Sequence, residues 1–274
     1  MKVGLLGLGH MGRHHARHLA SAGHDAVVVD PSHEFHGSLD GVDAVIVATP
    51  TSTHAKVALP LLRRGVPCLV EKPLAATLED ARALAGFPHL SVGLVERYNP
   101  AVACVAGADV RFLQSERVGS WTDRGADVDV ILDLLVHDLD LFGVLVGFEP
   151  VREIRANGLS VRSGHIDLVH ARVETESGRV GLFAASRVSR RGARTLRVFA
   201  PGAYWSVDLA GRTAVHVEAD LASHPVEVSA DDALAMEQAA FLGAVRGERP
   251  YPTPGREALW SLELALRIRE AATS

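Results

Sequence analysis

Three side chains stand where their chemistry is most readily used: Lys72, Asp133 and His137. Lys72 follows a short apolar run that reads as a strand. An ammonium at a strand end can hydrogen-bond a substrate hydroxyl and stabilise negative charge as its proton leaves. Pro73 stiffens its presentation, although spacing alone equally describes an exposed loop lysine. Asp133 precedes His137 by four residues in a segment, 127–146, that reads as a helix, so both fall on one face. There the acid can orient the imidazole while His137 accepts a hydroxyl proton; an Asp–His pair at this spacing is also an ordinary helix-surface contact. Asp138 and Asp140 follow, but one short helix does not supply four-ligand geometry, and no metal is expected. His14 and His18 have a chelating spacing without an acidic or cysteine partner, so they and His15 read as surface histidines.

A second set of residues holds phosphate. Gly7-Leu8-Gly9-His10-Met11-Gly12 follows the apolar run 2–6 and leads into a helical segment from residue 13. In that context Gly7 permits the tight turn, Gly9 lets the backbone approach a pyrophosphate, and Gly12 lets helix and strand pack closely. The N–H groups and dipole at the helix start favour the phosphate charge. A further apolar strand ends on Asp30, 18 residues beyond Gly12. An acid there accepts hydrogen bonds from ribose hydroxyls and repels a 2′-phosphate. No Lys or Arg lies between His18 and Ala55 to neutralise such a phosphate, which favours NAD over NADP.

The elements that would position these residues fall into two patterns. Apolar strands at 2–6, 26–29, 42–48, 68–70 and 90–95 alternate with helical segments, and Thr77 with Glu79 and Asp80 marks a helix start. Alternation of this kind implies a parallel sheet with helices on both faces and ligands beyond the strands' carboxyl ends. After Pro100 the runs at 110–118, 166–174, 180–189, 195–200 and 204–209 show partial period-2 alternation, and helical segments at 231–245 and 256–272 close the chain. The expected class is α/β: an N-terminal Rossmann doubly wound parallel sheet over residues 1–105, and a C-terminal α+β domain over 106–274 with a largely antiparallel open sheet. With 274 residues, two domains is the expected number at roughly 150 residues each. A formal charge of −5 leaves no basic footprint for nucleic acid. No apolar run approaches the ~18–20 residues that span a bilayer, and Cys68 and Cys104 lack metal or disulfide spacing. A cytoplasmic protein is expected.

Gly7-x-Gly9-x-x-Gly12, Ala48-Thr49-Pro50 with His54, Glu71-Lys72-Pro73 and Asp133-x-x-x-His137-x-x-Asp140, in this order, resemble the glucose-fructose oxidoreductase / inositol 2-dehydrogenase (Gfo/Idh/MocA) family. The resemblance spans essentially the whole chain. It implies that Lys72 is the catalytic lysine, that Asp133 and His137 bind substrate and transfer its proton, and that Asp140 supports them. Ala48, Thr49, Pro50, His54 and Glu71 join the glycine loop, Asp30 and Lys72 in holding the cofactor. A cis peptide before Pro73 is also implied, as is a homodimer or homotetramer. Residues 92–102, 117–119 and 132–140 look like the branch containing UDP-N-acetylglucosamine 3-dehydrogenases. In that branch Arg97 and Tyr98 are expected to bind substrate, and Arg117 and Arg124 to grip the phosphates of a sugar nucleotide or to serve as surface charge. The expected activity is hydride transfer between NAD and a secondary alcohol or ketone of a sugar, polyol or sugar nucleotide. The alternatives are a non-catalytic NAD-dependent sensor and a reductase of non-sugar carbonyls or imines.

Overall fold

A computed structural model describes residues 1–30, 35–36, 38–122 and 128–273. The chain divides into two compact units, one of residues 1–95 and 232–259, the other of 96–231 and 260–274.

Among the described residues, the first unit holds a six-stranded sheet of β1 (Lys2–Leu6), β2 (Asp25–Asp30), β3 (Phe35–His36), β4 (Ala44–Val47), β5 (Cys68–Glu71) and β6 (Leu90–Gly93) in the order β3-β2-β1-β4-β5-β6. All pairs are parallel except the short edge pair β2–β3. Because the chain leaves β1 in one direction across the sheet and later returns to its other side, the carboxyl ends of β1 and β4 meet at a switch point, where ligands bind in such sheets. Helices α1 (His10–Ser21), α2 (His54–Arg63) and α3 (Leu78–Ala85) connect the strands. Thr77 caps α3, its hydroxyl accepting from Asp80 N–H, with Glu79 and Asp80 in the first turn; both features favour that end.

The boundary expected near residue 105 falls instead at 95/96, and residues 232–259 belong to the first unit. Helix packing explains the return. In the helix 233–245, Phe241 and Leu242 are buried in one core with Val3, Leu5, Leu19, Ala44, Ile46 and Leu69. Residues 251–254 then run beside β6, where Val92 N–H donates to Thr253 O at 3.0 Å.

In the second unit, α4 (Pro100–Ala103) and β7 (Phe112–Val118) precede a π-helical turn, Ile131–Leu135, that runs directly into α5 (Val136–Val146). The helix expected over 127–146 therefore starts later, and residue 127 lies outside the described residues. Asp129 starts it: its Oδ1 accepts from the N–H groups of Ile131 at 3.0 Å and Leu132 at 2.9 Å, the N-cap role for which a short acid is suited. The sheet continues with β8 (Val151–Leu159), β9 (Leu168–Thr175), β10 (Val180–Ser186), β11 (Ala193–Ala200), β12 (Ala203–Asp208), β13 (Thr213–Glu218) and β14 (Ser223–Val226), ordered β14-β13-β12-β11-β7-β10-β9-β8. Only β7–β10 is parallel among these pairs. Leu139, Phe142 and Val146 of α5, with Leu264, Ala265 and Ile268, fill the core against the sheet. Helices α6 (Ala233–Val245) and α7 (Gly255–Thr273) close the chain. None of the described helices is long and apolar enough to cross a membrane.

Phe241→Ala removes a fully buried ring from the first unit's core and should lower that unit's stability by about 3–5 kcal/mol. Urea unfolding checks this; a cost below about 1 kcal/mol would place the residue outside the core.

Candidate active site

Five parallel strands deliver Gly7, Asp30, Ala48, Glu71 and Gly93 to one edge of the first sheet. Gly7 has φ +92°, a left-handed conformation, and a Cβ on it would lie 2.7 Å from Ala48 O. Gly12 is tighter: its Cβ would lie 2.0 Å from Gly7 O. Helix α1 can therefore start against the loop only with glycine at both positions. Around Gly9 the space is open, with nothing within 4 Å of a Cβ. The first turn of α1 has neither a side-chain cap nor an acidic residue, so its N–H groups are aimed where a phosphate would be welcome. Asp30, 6% exposed, accepts from Leu8 N–H at 2.5 Å and fixes the loop that leads into His10 and Met11 at the start of α1. These residues fit a dinucleotide's pyrophosphate and ribose. Lys72, half-buried, follows β5 and forms a cis peptide bond with Pro73. Cys68 begins the same strand, and burial pushes its thiol up to about 12, so no thiolate is available there.

Several expected cofactor contacts have other tasks. His54 is buried between two loops, its Nε2 2.9 Å from Thr49 O and its Nδ1 3.1 Å from Pro73 O. Glu71 is buried too, with Oε1 2.7 Å from His15 Nε2. His15, expected on the surface, is fully buried. The signal was present in the helical period: Gly12, His15 and Leu19 share the face that α1 buries. Thr49 and Pro50 remain at the strand end, with the Thr53 hydroxyl donating to Pro50 O at 2.7 Å.

In the second unit, Asp133 lies in the π turn and His137 in the first turn of α5, both half-buried. Four residues remain close to one turn in either geometry, so the two share a face. The neighbouring acids are gripped by arginines. Arg117 donates to Asp138 through Nε at 2.9 Å and Nη2 at 2.8 Å, and to Glu96 through Nη1 at 2.8 Å. Arg97 forks onto Asp140 at 2.7 and 2.5 Å, and the Ser261 hydroxyl donates to the same carboxylate at 3.1 Å. Burial works against the charge on Arg117, but Asp138 and Glu96 raise its pKa above the ordinary value. For Glu96, burial pushes the pKa up, and the Arg117 guanidinium with hydrogen bonds from Arg117 and Asn99 more than reverses it, leaving it below the usual range.

Residues 29–87 match the model of the oxidoreductase family Gfo/Idh/MocA, NAD-binding Rossmann fold. The UDP-N-acetylglucosamine 3-dehydrogenase of Acidithiobacillus ferrooxidans is 35% identical over 305 residues, covering 99% of this chain and 97% of the relative. The chain belongs to the Gfo/Idh/MocA family. The scyllo-inositol 2-dehydrogenase (NAD(+)) of Bacillus subtilis is 26% identical to it, over 70% of this chain and 69% of the relative. Among solved structures, UDP-N-acetylglucosamine 3-dehydrogenase GnnA from A. ferrooxidans superposes with a TM-score of 0.92 at 34% identity, covering 99% of this chain and 97% of that one. This Gfo/Idh/MocA member is an NAD-binding oxidoreductase.

For a Gfo/Idh/MocA chain the arginines were the least legible residues. Arg117, expected to grip substrate phosphates, is 4% exposed and committed to two carboxylates; Arg97, expected on the substrate, forks onto Asp140 and lies 5.3 Å from the Phe148 ring centre. Tyr98 is half-buried beside it in sequence, and Arg124 lies outside the described residues. Arg117→Met leaves Asp138 and Glu96 as buried charges and should cost about 3–5 kcal/mol of stability; a variant of normal stability with only a raised KM would restore the substrate role. Since the Glu96 pKa is depressed on folding, its contribution is complete above the ordinary value of 4.5 and disappears as pH falls below it. Acid unfolding followed by circular dichroism should therefore move to lower pH, relative to an Arg117→Met control, in the native chain.

Proposed function

We propose that the chain oxidises, or in the reverse direction forms, a secondary hydroxyl on a sugar carried by a nucleoside diphosphate, with UDP-N-acetylglucosamine the first candidate. The observation that carries this reading is that similarity to the sugar-nucleotide dehydrogenase runs nearly the full length of both chains. Bound NAD+ supplies the two-electron acceptor. The glycine loop and the start of α1 hold its pyrophosphate through backbone N–H groups, and Asp30 accepts from ribose hydroxyls.

Lys72 hydrogen-bonds the reacting oxygen and stabilises its alkoxide character, a contribution that grows as the charge develops. His137 accepts the hydroxyl proton at a ring nitrogen and returns it in the reverse reaction. Asp133 orients that ring and stabilises the imidazolium. Both roles depend mainly on orientation. The chain is further read as a cytoplasmic homodimer or homotetramer. Its two cysteines form no disulfide, and the second sheet exposes Gln114, Glu116, His170 and Arg197, a polar face able to meet a second copy.

Mixing the protein with NAD+ and UDP-N-acetylglucosamine should raise absorbance at 340 nm. Lys72→Ala should cut kcat by about 10²–10³-fold, and His137→Ala by about 10²–10⁴-fold. NAD+ affinity, measured by calorimetry, should be retained in both. Full turnover by a folded Lys72→Ala variant would defeat the assignment of that residue.

A further inference from the structure

Two buried histidines of the first unit end on the turn that carries Lys72. His15 on α1 meets Glu71, the residue before the lysine, with Nε2 2.7 Å from Oε1. On its other side Gln238 of α6 places Nε2 2.6 Å from His15 Nδ1 and 3.2 Å from the His15 carbonyl oxygen. A carbonyl oxygen only accepts, so the amide group facing it is the NH2. That NH2 also faces Nδ1, which must then be the ring's acceptor. The imidazole proton therefore sits on Nε2 and is donated to the Glu71 carboxylate. Turning the amide over would set two oxygens against each other, and a proton on Nδ1 would set two donors face to face. Gln238 thus selects the tautomer through which His15 holds Glu71. Gly93 closes the other side: a Cβ there would lie 3.2 Å from the Glu71 carboxyl carbon, so the side chain rests against the β6 backbone.

His54 acts beyond the lysine. Its Nδ1 lies 3.1 Å from Pro73 O and 3.3 Å from Leu74 O, while Nε2 lies 2.9 Å from Thr49 O. A neutral ring donates at one end only: a proton on Nδ1 holds the two residues past Lys72, and a ring protonated at both nitrogens would tie them to the loop after β4 as well.

We propose that His15 and His54 are positioning residues that clamp the Lys72 turn from both sides, at residue 71 and at residues 73–74. A lysine stem has several rotatable bonds, and fixing its backbone removes part of the freedom that would otherwise be lost in reaching the transition state. The proposal rests on the reading of Lys72 as the group that holds the reacting oxygen. A histidine that merely filled the core could be replaced by leucine without a change in kcat.

The test uses the full chain with NAD+ and UDP-N-acetylglucosamine, turnover read at 340 nm and NAD+ binding by calorimetry. His15→Leu keeps the volume and removes the donor; His15→Gln keeps an N–H near the Nε2 position. His15→Leu and His54→Leu should each lower kcat by about 10- to 100-fold with the NAD+ Kd within about twofold, and His15→Gln should restore most of the loss. Nitrogen-15 spectra of labelled histidines should show one buried ring protonated at Nε2 and bare at Nδ1, absent in His15→Gln. Wild-type kcat in both leucine variants overturns the clamp, as does a parallel loss of kcat, NAD+ binding and melting temperature without rescue by glutamine. A His15 ring protonated at Nδ1 overturns it whatever the substrate. If Lys72→Ala is crippled while the leucine variants are fully active, the clamp falls and the lysine reading stands; full activity in Lys72→Ala removes the lysine reading itself.

Discussion

A parallel sheet brings the carboxyl ends of all its strands to one edge, and the first unit depends on that constraint. Each strand must be followed by a crossover, and each crossover helix must begin close enough to the edge for its N–H groups to face a ligand. The contact between Gly12 and Gly7 sets the closeness at the first crossover, since any β-carbon at residue 12 would collide with the Gly7 carbonyl. The same approach brings the buried face of α1 over the sheet, so that His15, one helical turn past Gly12, arrives at the end of β5. Phosphate binding and the placement of Glu71 are thus two consequences of one backbone contact.

The second unit solves a different problem, that of keeping a short helical start in place while its acids are buried. Asp138 and Asp140 are each 1% exposed, and carboxylates so placed must be paired. Arginine is suited to this because its planar fork matches both oxygens at once. Such pairs add little net stability over apolar packing, yet loss of one partner is costly. Their effect is to fix rotation: with Arg117 on one acid and Arg97 on another two residues later, the turn carrying His137 between Val136 and Asp138 cannot roll without breaking a fork.

Local signals were legible and long-range pairings were not. The glycine loop, Asp30, the Thr77 cap and the five parallel strands could be read because each is written in adjacent residues. Strand β8 was missed because a register shift between Val151 and Glu153 interrupts its alternation and Asn157-Gly158 imitates a turn; β14 was missed because Pro225 sits inside it, tolerated at a sheet edge. The return of residues 232–259 to the first unit depends on Phe241 finding Val3 and Leu5, a contact across more than two hundred positions that no window of sequence contains. Arg117 looked like an anion contact for the same reason: its partners, Glu96 and Asp138, each lie 21 residues away. His15 is the exception, legible in principle from the Gly12–Leu19 face but outweighed by its charged and histidine neighbours.

These placements divide the work between backbone and side chain. The start of α1 leaves its N–H groups without a side-chain cap or an acid in the first turn, so these groups and the helix dipole are available to the phosphate charge. On the proposed reading, the ammonium of Lys72, the imidazole of His137 and the carboxylate of Asp133 are thereby left for the reacting atoms, where direction matters. Backbone donors need no further restraint once the fold has formed, whereas a lysine on a turn does. That difference accounts for the location of the buried histidines: His15 and His54 both reach the segment from Glu71 to Leu74, the part of the edge where a flexible side chain, rather than the peptide itself, has to be held in position.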